Sequence, residues 1–174
     1  MPRSSVIYEQ ASILRDVILA ASDGIVTTFA VVAGAQGAGL SSDVVVIIGL
    51  SGLLADGVSM TAGNYLGVKS EREYRDVKSK SHRKNAPISR HIFATLFPFV
   101  LIGFLPLIPY FFMDSNQFFY SLLMVAGSLV LVGLVRTSVS GKHPVSSVLE
   151  TLLVGGFTAA VAYFVGYFVQ YYFL

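Results

Sequence analysis

The chain has 174 residues, a formal net charge of +2 and a mean hydropathy of +0.69; 54% of its residues are hydrophobic and 13% are charged. Soluble domains carry roughly 25% charged residues, so a soluble fold of this length cannot hide so much apolar surface, whereas hydrocarbon solvates it directly. The absence of cysteine excludes disulfides, zinc–thiolate sites and thiol catalysis.

The N-terminal segment does not read as a signal peptide. Its apolar run begins only after Asp16, is too long for an h-region and carries an acid. A membrane helix needs about 20 mostly apolar residues. The sequence predicts five such spans, at about 17–38, 44–68, 92–113, 118–135 and 148–168, forming a single all-α transmembrane domain over 1–174. Pro98, Pro106 and Pro109 should kink the third, which is tolerated where neighbouring helices or water satisfy the freed carbonyls. With no tryptophan in the chain, interfacial anchoring falls to tyrosines such as Tyr163, Tyr167, Tyr171 and Tyr172 on the fifth.

The connections set the orientation. All 12 lysines and arginines lie before the first span (Arg3, Arg15), between the second and third (Lys69, Arg72, Arg75, Lys78, Lys80, Arg83, Lys84, Arg90) or between the fourth and fifth (Arg136, Lys142). The other loops carry none. By the positive-inside rule the N-terminus is cytoplasmic and the C-terminus lies on the far side. The basic 69–90 loop needs only this rule and an anionic lipid surface to explain it.

Asp23 and Asp56 fall inside spans. A carboxylate at the bilayer centre costs roughly 2.5–3.5 kcal/mol on insertion scales, so such residues are functional candidates by default. On the first helix Glu9, Asp16 and Asp23 recur every seven residues and share a face, forming an acidic stripe that leads inward from the cytoplasmic side. Glu9 and Asp16 also fit as solvated residues near a helix start. The second helix carries two stripes at four-residue spacing. Ser51, Ala55, Ser59, Gly63 and Gly67 are all small, which lets membrane helices approach closely. Gly52, Asp56, Met60 and Asn64 offer a carboxylate, a thioether and an amide.

Counted from Arg15 and Lys69, Asp23 and Met60 sit about 12 and 13 Å deep at 1.5 Å per residue, near the middle of a core about 30 Å thick. Asp56 lies about one turn further toward the far side. Carboxylate oxygen with thioether sulfur suits a borderline divalent ion, Fe(II) better than Mg or Ca. Glu71, Glu73 and His82, in the basic loop, either meet a metal or are solvated charges. Glu150 suits the start of the fifth helix, and His91 and His143 read as interfacial. No phosphate loop, dinucleotide fingerprint, nucleophile–base set or nucleic-acid module appears, so neither an enzyme nor a nucleic-acid partner is expected.

Residues 14–34 read LRDVILAASDGIVTTFAVVAG and residues 54–73 read LADGVSMTAGNYLGVKSERE. Both resemble the vacuolar iron transporter family of yeast, plants and bacteria, and the GKHPVSSVLETLLVGGF run is similar to its last loop and helix. The resemblance implies a homodimer of five-helix chains with the pathway at the two-fold axis, lined by the first and second helices. It implies antiport of Fe(II), and often Mn(II), out of the cytosol against protons. Carried over by position, the pathway aspartate is Asp23 and the pathway methionine Met60. The residue pattern itself adds Asp56 and Asn64 as candidate metal ligands, and Glu9, Asp16, Glu71 and Glu73 as a candidate cytoplasmic entrance. Iron-transporting members carry a large Glu- and Met-rich domain between the second and third helices. Here residues 69–90 replace it, Asn64 stands where many members have an acid, and Thr61 where many have a small apolar residue. Rival readings are a non-transporting partner or metal sensor on the same scaffold, or a passive cation channel. A prokaryotic cytoplasmic membrane is the expected residence, ahead of a vacuolar one.

If the entrance serves cations, the ring of basic side chains should splay toward headgroups and leave the Glu9–Asp16–Asp23 face open.

Overall fold

The computed structural model describes residues 3–79, 87–140 and 143–173, and its regular structure is entirely helical. In chain order these are α1 (Arg3–Gly37), α2 (Ser42–Ser79), α3 (Ser89–Gly103), α4 (Ile108–Phe112), α5 (Gln117–Ser140) and α6 (Pro144–Phe173). Five stretches are long and apolar enough to cross a membrane: Tyr8–Gly37, Ser42–Val77, Ser89–Phe112, Gln117–Thr137 and Pro144–Phe173. The protein is therefore an all-α integral membrane protein. Lys80, His82, Arg83, Lys84 and Lys142 lie outside the described residues.

The third crossing shows how the prolines are accommodated. α3 runs through Pro98, and the break comes later, at a 3-10 turn over Leu105–Leu107 that precedes α4. Pro106 and Pro109 each stand in the first turn of their element, where a missing N–H costs nothing. The carbonyl of Pro106 accepts a hydrogen bond from the Ser121 hydroxyl of α5 at 2.7 Å. A neighbouring helix thus satisfies a backbone group that hydrocarbon cannot.

α1 ends in a tight reversal. Gly39 has φ +64°, Leu40 N–H donates to Ala35 O at 3.0 Å and Gly39 N–H donates to Gln36 O at 3.1 Å. This pair of bonds caps orphan carbonyls and needs a left-handed residue, which glycine supplies without strain. The Ser42 hydroxyl bonds Gln117, joining this turn to the start of α5.

α1 and α2 outrun the expected spans. They have 35 and 38 residues, about 52 and 57 Å at 1.5 Å per residue, against a core about 30 Å thick. The stretch read as a loop from Lys69 is helical through Ser79. Pairs at i, i+4 support the extension, Lys69 with Glu73 at 4.0 Å and Arg75 with Glu71 at 3.4 Å. Tyr8 of α1 adds a cross-helix bond, donating to Glu71 at 2.7 Å. Lys69, Arg72, Arg75 and Lys78 therefore lie on a projecting helix end.

α1 packs against α2, α3, α5 and α6. Ile25, Phe29 and Val32 of α1 meet Leu53, Phe99, Leu107, Val125 and Leu129 in one cluster. Inside a bilayer such packing rests on close contact, not on expelling water, so small residues matter where helices cross. A Cβ on Gly24 would collide with the Phe99 carbonyl, and one on Gly103 would lie 2.8 Å from Gly24 O. On the other side of α1, a Cβ on Gly166 of α6 would collide with the Gly34 carbonyl.

Gly24→Val should therefore lower the thermal midpoint in detergent by several degrees, overpacking costing about 1–3 kcal/mol. Gly127→Ala, which adds a Cβ in open space, should leave it unchanged. Equal midpoints would show that the α1–α3 crossing is not as tight as described.

Candidate metal pathway

The charged face of the bundle carries a buried polar network. Asp16 is 3% exposed and His91 1%. His91 Nδ1 stands 2.6 Å from Asp16 Oδ2, and its Nε2 stands 3.3 Å from Glu9 Oε1. Arg72 of α2 donates to the same Glu9 oxygen at 3.1 Å. Arg15 donates to Asp16 Oδ1 from Nε and Nη2, at 3.4 and 3.1 Å. The network joins α1, α2 and α3 at one level, and it satisfies groups that would otherwise be costly to bury.

Two expectations change here. His91, read as an interfacial residue, is buried within the protein between two carboxylates. The Glu9–Asp16 part of the acidic stripe is not an open face, because α3 and Arg72 cover it. Glu71 is engaged by Tyr8 and Arg75, and Glu73 by Lys69. The sequence did hold a signal for His91. His91, Thr95, Phe99 and Gly103, the buried residues of α3, recur every four residues as one inward stripe, which a reading centred on charge overlooks.

One turn deeper the network is neutral. Asn64 of α2 donates to Thr95 Oγ1 at 2.6 Å, and Thr95 Oγ1 donates to His91 O at 2.9 Å. Asn64 is thus held by α3, with its carbonyl oxygen left to accept.

Deeper still, the pattern reverses. Asp23 on α1 is half-buried and Asp56 on α2 is exposed. The two carboxylates lie near enough to interact electrostatically. Among the described residues neither has a basic partner within ion-pair distance. Met60, one turn from Asp56, is partly buried against the core. Among the described residues of this single chain, no three His, Asp or Glu side chains converge on one metal position. What the chain presents is a pair of carboxylates on adjoining helices, Asp23 half-buried and Asp56 exposed, with Met60 packed partly against the core beside them.

The small-residue stripe of α2 faces outward with Asp56. Ser51, Ala55, Ser59, Gly63 and Gly67 are all exposed, and a Cβ on Gly52, Gly63 or Gly67 would meet nothing within 4 Å.

Comparison with known proteins points one way. The VIT family matches residues 14–91 and 91–167 of the chain. The "Vacuolar iron transporter 1" of Tulipa gesneriana is 25% identical over 214 aligned positions, covering 90% of this chain and 87% of that protein. The protein of the same name from Arabidopsis thaliana is 24% identical, covering 94% of this chain and 89% of its own length. The "Vacuolar iron transporter" of Toxoplasma gondii is 40% identical over 67 residues, or 38% of this chain. The 214 aligned positions with the tulip protein exceed this chain's 174 residues, so the alignment carries gaps in this chain.

Removing the imidazole should expose the cost of the buried acid. His91→Ala should lower stability by about 2–3 kcal/mol, the range for removing a hydrogen bond to a buried charged group, as read from thermal unfolding in detergent. His143→Ala, at an exposed position, should change it little. Equal effects would mean that the His91–Asp16 contact contributes nothing.

Proposed function

The chain belongs to the VIT family, and from that premise we propose that it is a divalent-metal transporter that exports Fe(II) from the cytosol in exchange for protons, with Mn(II) a second cargo. The observation that carries this reading is the pair Asp23 and Asp56. They are intramembrane carboxylates without a basic partner among the described residues, on two helices that open outward together.

A bare carboxylate facing hydrocarbon is unfavourable. The outward stripe of small residues beside Asp56 suits a second copy of the chain packed along α2. Such a homodimer places Asp23, Asp56 and Met60 of one protomer opposite their equivalents, and two half-sites make one site of mixed oxygen and sulfur donors. That donor set favours Fe(II) over Mg or Ca. The Asn64 carbonyl extends it toward the charged side; there Glu9, Asp16, Glu71 and Glu73 are engaged by Arg72, Arg15, His91, Arg75 and Lys69, so they brace the helices beside the approach and the cation meets its first unpaired acids at Asp23 and Asp56.

The mechanism follows from carboxylate chemistry. With Asp23 and Asp56 ionised, the site attracts a cation. Protons arriving from the far side neutralise a carboxylate and weaken its hold on the metal, which then leaves in that direction. The placement of all 12 basic residues on the connections of one face supports a cytoplasmic N-terminus.

Proteoliposomes loaded with a pH dye would test this reading. With an acidic lumen, wild-type protein should accumulate Fe(II) and alkalinise the lumen as protons leave in exchange; Asp23→Ala should reduce uptake to that of empty vesicles. Equal uptake by the two proteins would remove Asp23 from the pathway, and uptake that leaves pH untouched would remove the proton coupling.

The assembly has its own test. A Cys at Ser59 should form an intermolecular disulfide under mild oxidant in native membranes. A Cys at Leu123, exposed on α5, should not. The opposite result would place the contact between copies elsewhere.

A further inference from the structure

A groove of about 460 Å³ lies between α1, α5 and α6, on a different face of α1 from the acids. It runs from Ala11 to Val26, about 22 Å along the helix, from the charged face into the hydrocarbon region. Its walls are apolar and include Ile18, Leu19, Leu129 and Val154. The hydroxyls that line it, Ser22 and Thr151, are spent on their own helices, donating to Ile18 O at 2.8 Å and Ser147 O at 2.9 Å. The depth of the groove therefore offers little to a polar ligand and suits an alkyl chain.

The mouth is different. Arg15, Arg136 and Glu150 are the charged residues that line the groove. Arg136 reaches Glu150 through Nη1 and Nη2, at 3.2 and 3.3 Å. Arg15 spends Nε and one Nη2 hydrogen on Asp16. A guanidinium has five N–H donors, so each arginine keeps donors to offer at the mouth. The side chains of Arg15 and Arg136 are 60% and 37% exposed. Each guanidinium is paired with one carboxylate, Arg15 with the buried Asp16 behind it and Arg136 with Glu150, so what the mouth offers at the level of the headgroups is the spare N–H donors of two adjacent arginines, with Asp16 turned away from the groove lining.

We propose that this groove is a binding site for an anionic phospholipid, its phosphate held between Arg15 and Arg136 and one acyl chain laid along α1. Planar guanidinium groups match phosphate oxygens in geometry as well as charge. The occupant comes from the leaflet on the charged face, where anionic lipids attract such pockets. The site lies apart from the α2 stripe and does not depend on which metal is carried. It does touch the network beside the pathway, because Arg15 is bonded to Asp16, the acid held by His91.

Delipidated protein in nonionic detergent, mixed with equimolar phosphatidylglycerol and phosphatidylcholine and read by native mass spectrometry, tests the site. Wild-type protein should retain phosphatidylglycerol preferentially. Arg15→Gln combined with Arg136→Gln should reduce that preference roughly thirty-fold. Leu19→Trp, which keeps both arginines and fills the groove, should lower retention of the bound lipid. Excess inorganic phosphate should not displace it. A wild type without preference, a double variant that keeps it, or displacement by phosphate alone would overturn the assignment.

Discussion

Hydrocarbon leaves an ionised side chain two stable situations, a partner or a polar cavity. The acids of this chain divide on that rule. Glu9 and Asp16 are partnered, by Arg72, Arg15 and the buried His91. Asp23 and Asp56, deeper in the spans, have no basic partner among the described residues. The same residue types at a regular spacing on α1 thus serve two ends. The outer acids weld three helices together, and the inner one remains chemically available.

The weld makes the availability possible. α1 packs against four other helices, and at Gly24, next to Asp23, it presses backbone to backbone against α3. The Asp16–His91 contact fixes the same pair of helices about two turns away. Asp23 therefore projects from a helix that cannot easily roll to hide it. A site that must hold and release a cation needs such a rigid mount, since small displacements of its donors change affinity strongly. Asp56 and the small residues of α2 stand on the side of the bundle left uncovered, the face assigned to the second copy in the proposed homodimer.

Much of this was legible in the residues. Hydropathy and length predict five crossings, and five helical stretches of that kind are present. The four-residue spacing on α2 marks a small-residue face, and that face is exposed. The rest failed for identifiable reasons. Hydropathy ends the second span near Val68, but Lys69–Glu73, Arg75–Glu71 and Tyr8–Glu71 contacts carry the helix to Ser79; charged residues at i, i+4 are invisible to an apolar criterion. His91 looked interfacial because it follows a run of basic residues. The four-residue stripe on α3 marks its inward side, but the partner of His91, Asp16, lies 75 positions away, and no local pattern names a contact so distant. Three prolines predicted a kinked third crossing without saying where. The break falls at Pro106, whose carbonyl accepts a hydrogen bond from the Ser121 hydroxyl of another helix, and not at Pro98, where the helix continues.

The division of the acids into partnered and available ones is the central claim, and metal binding at equilibrium tests it most directly. Anaerobic dialysis of purified protein against Fe(II) would compare wild type with Asp23→Asn and Asp16→Asn, each with its thermal midpoint measured alongside. The account predicts that Asp23→Asn loses bound metal and keeps its stability, whereas Asp16→Asn keeps bound metal and loses stability. Retention of metal by Asp23→Asn, or its loss from a stably folded Asp16→Asn, would contradict it.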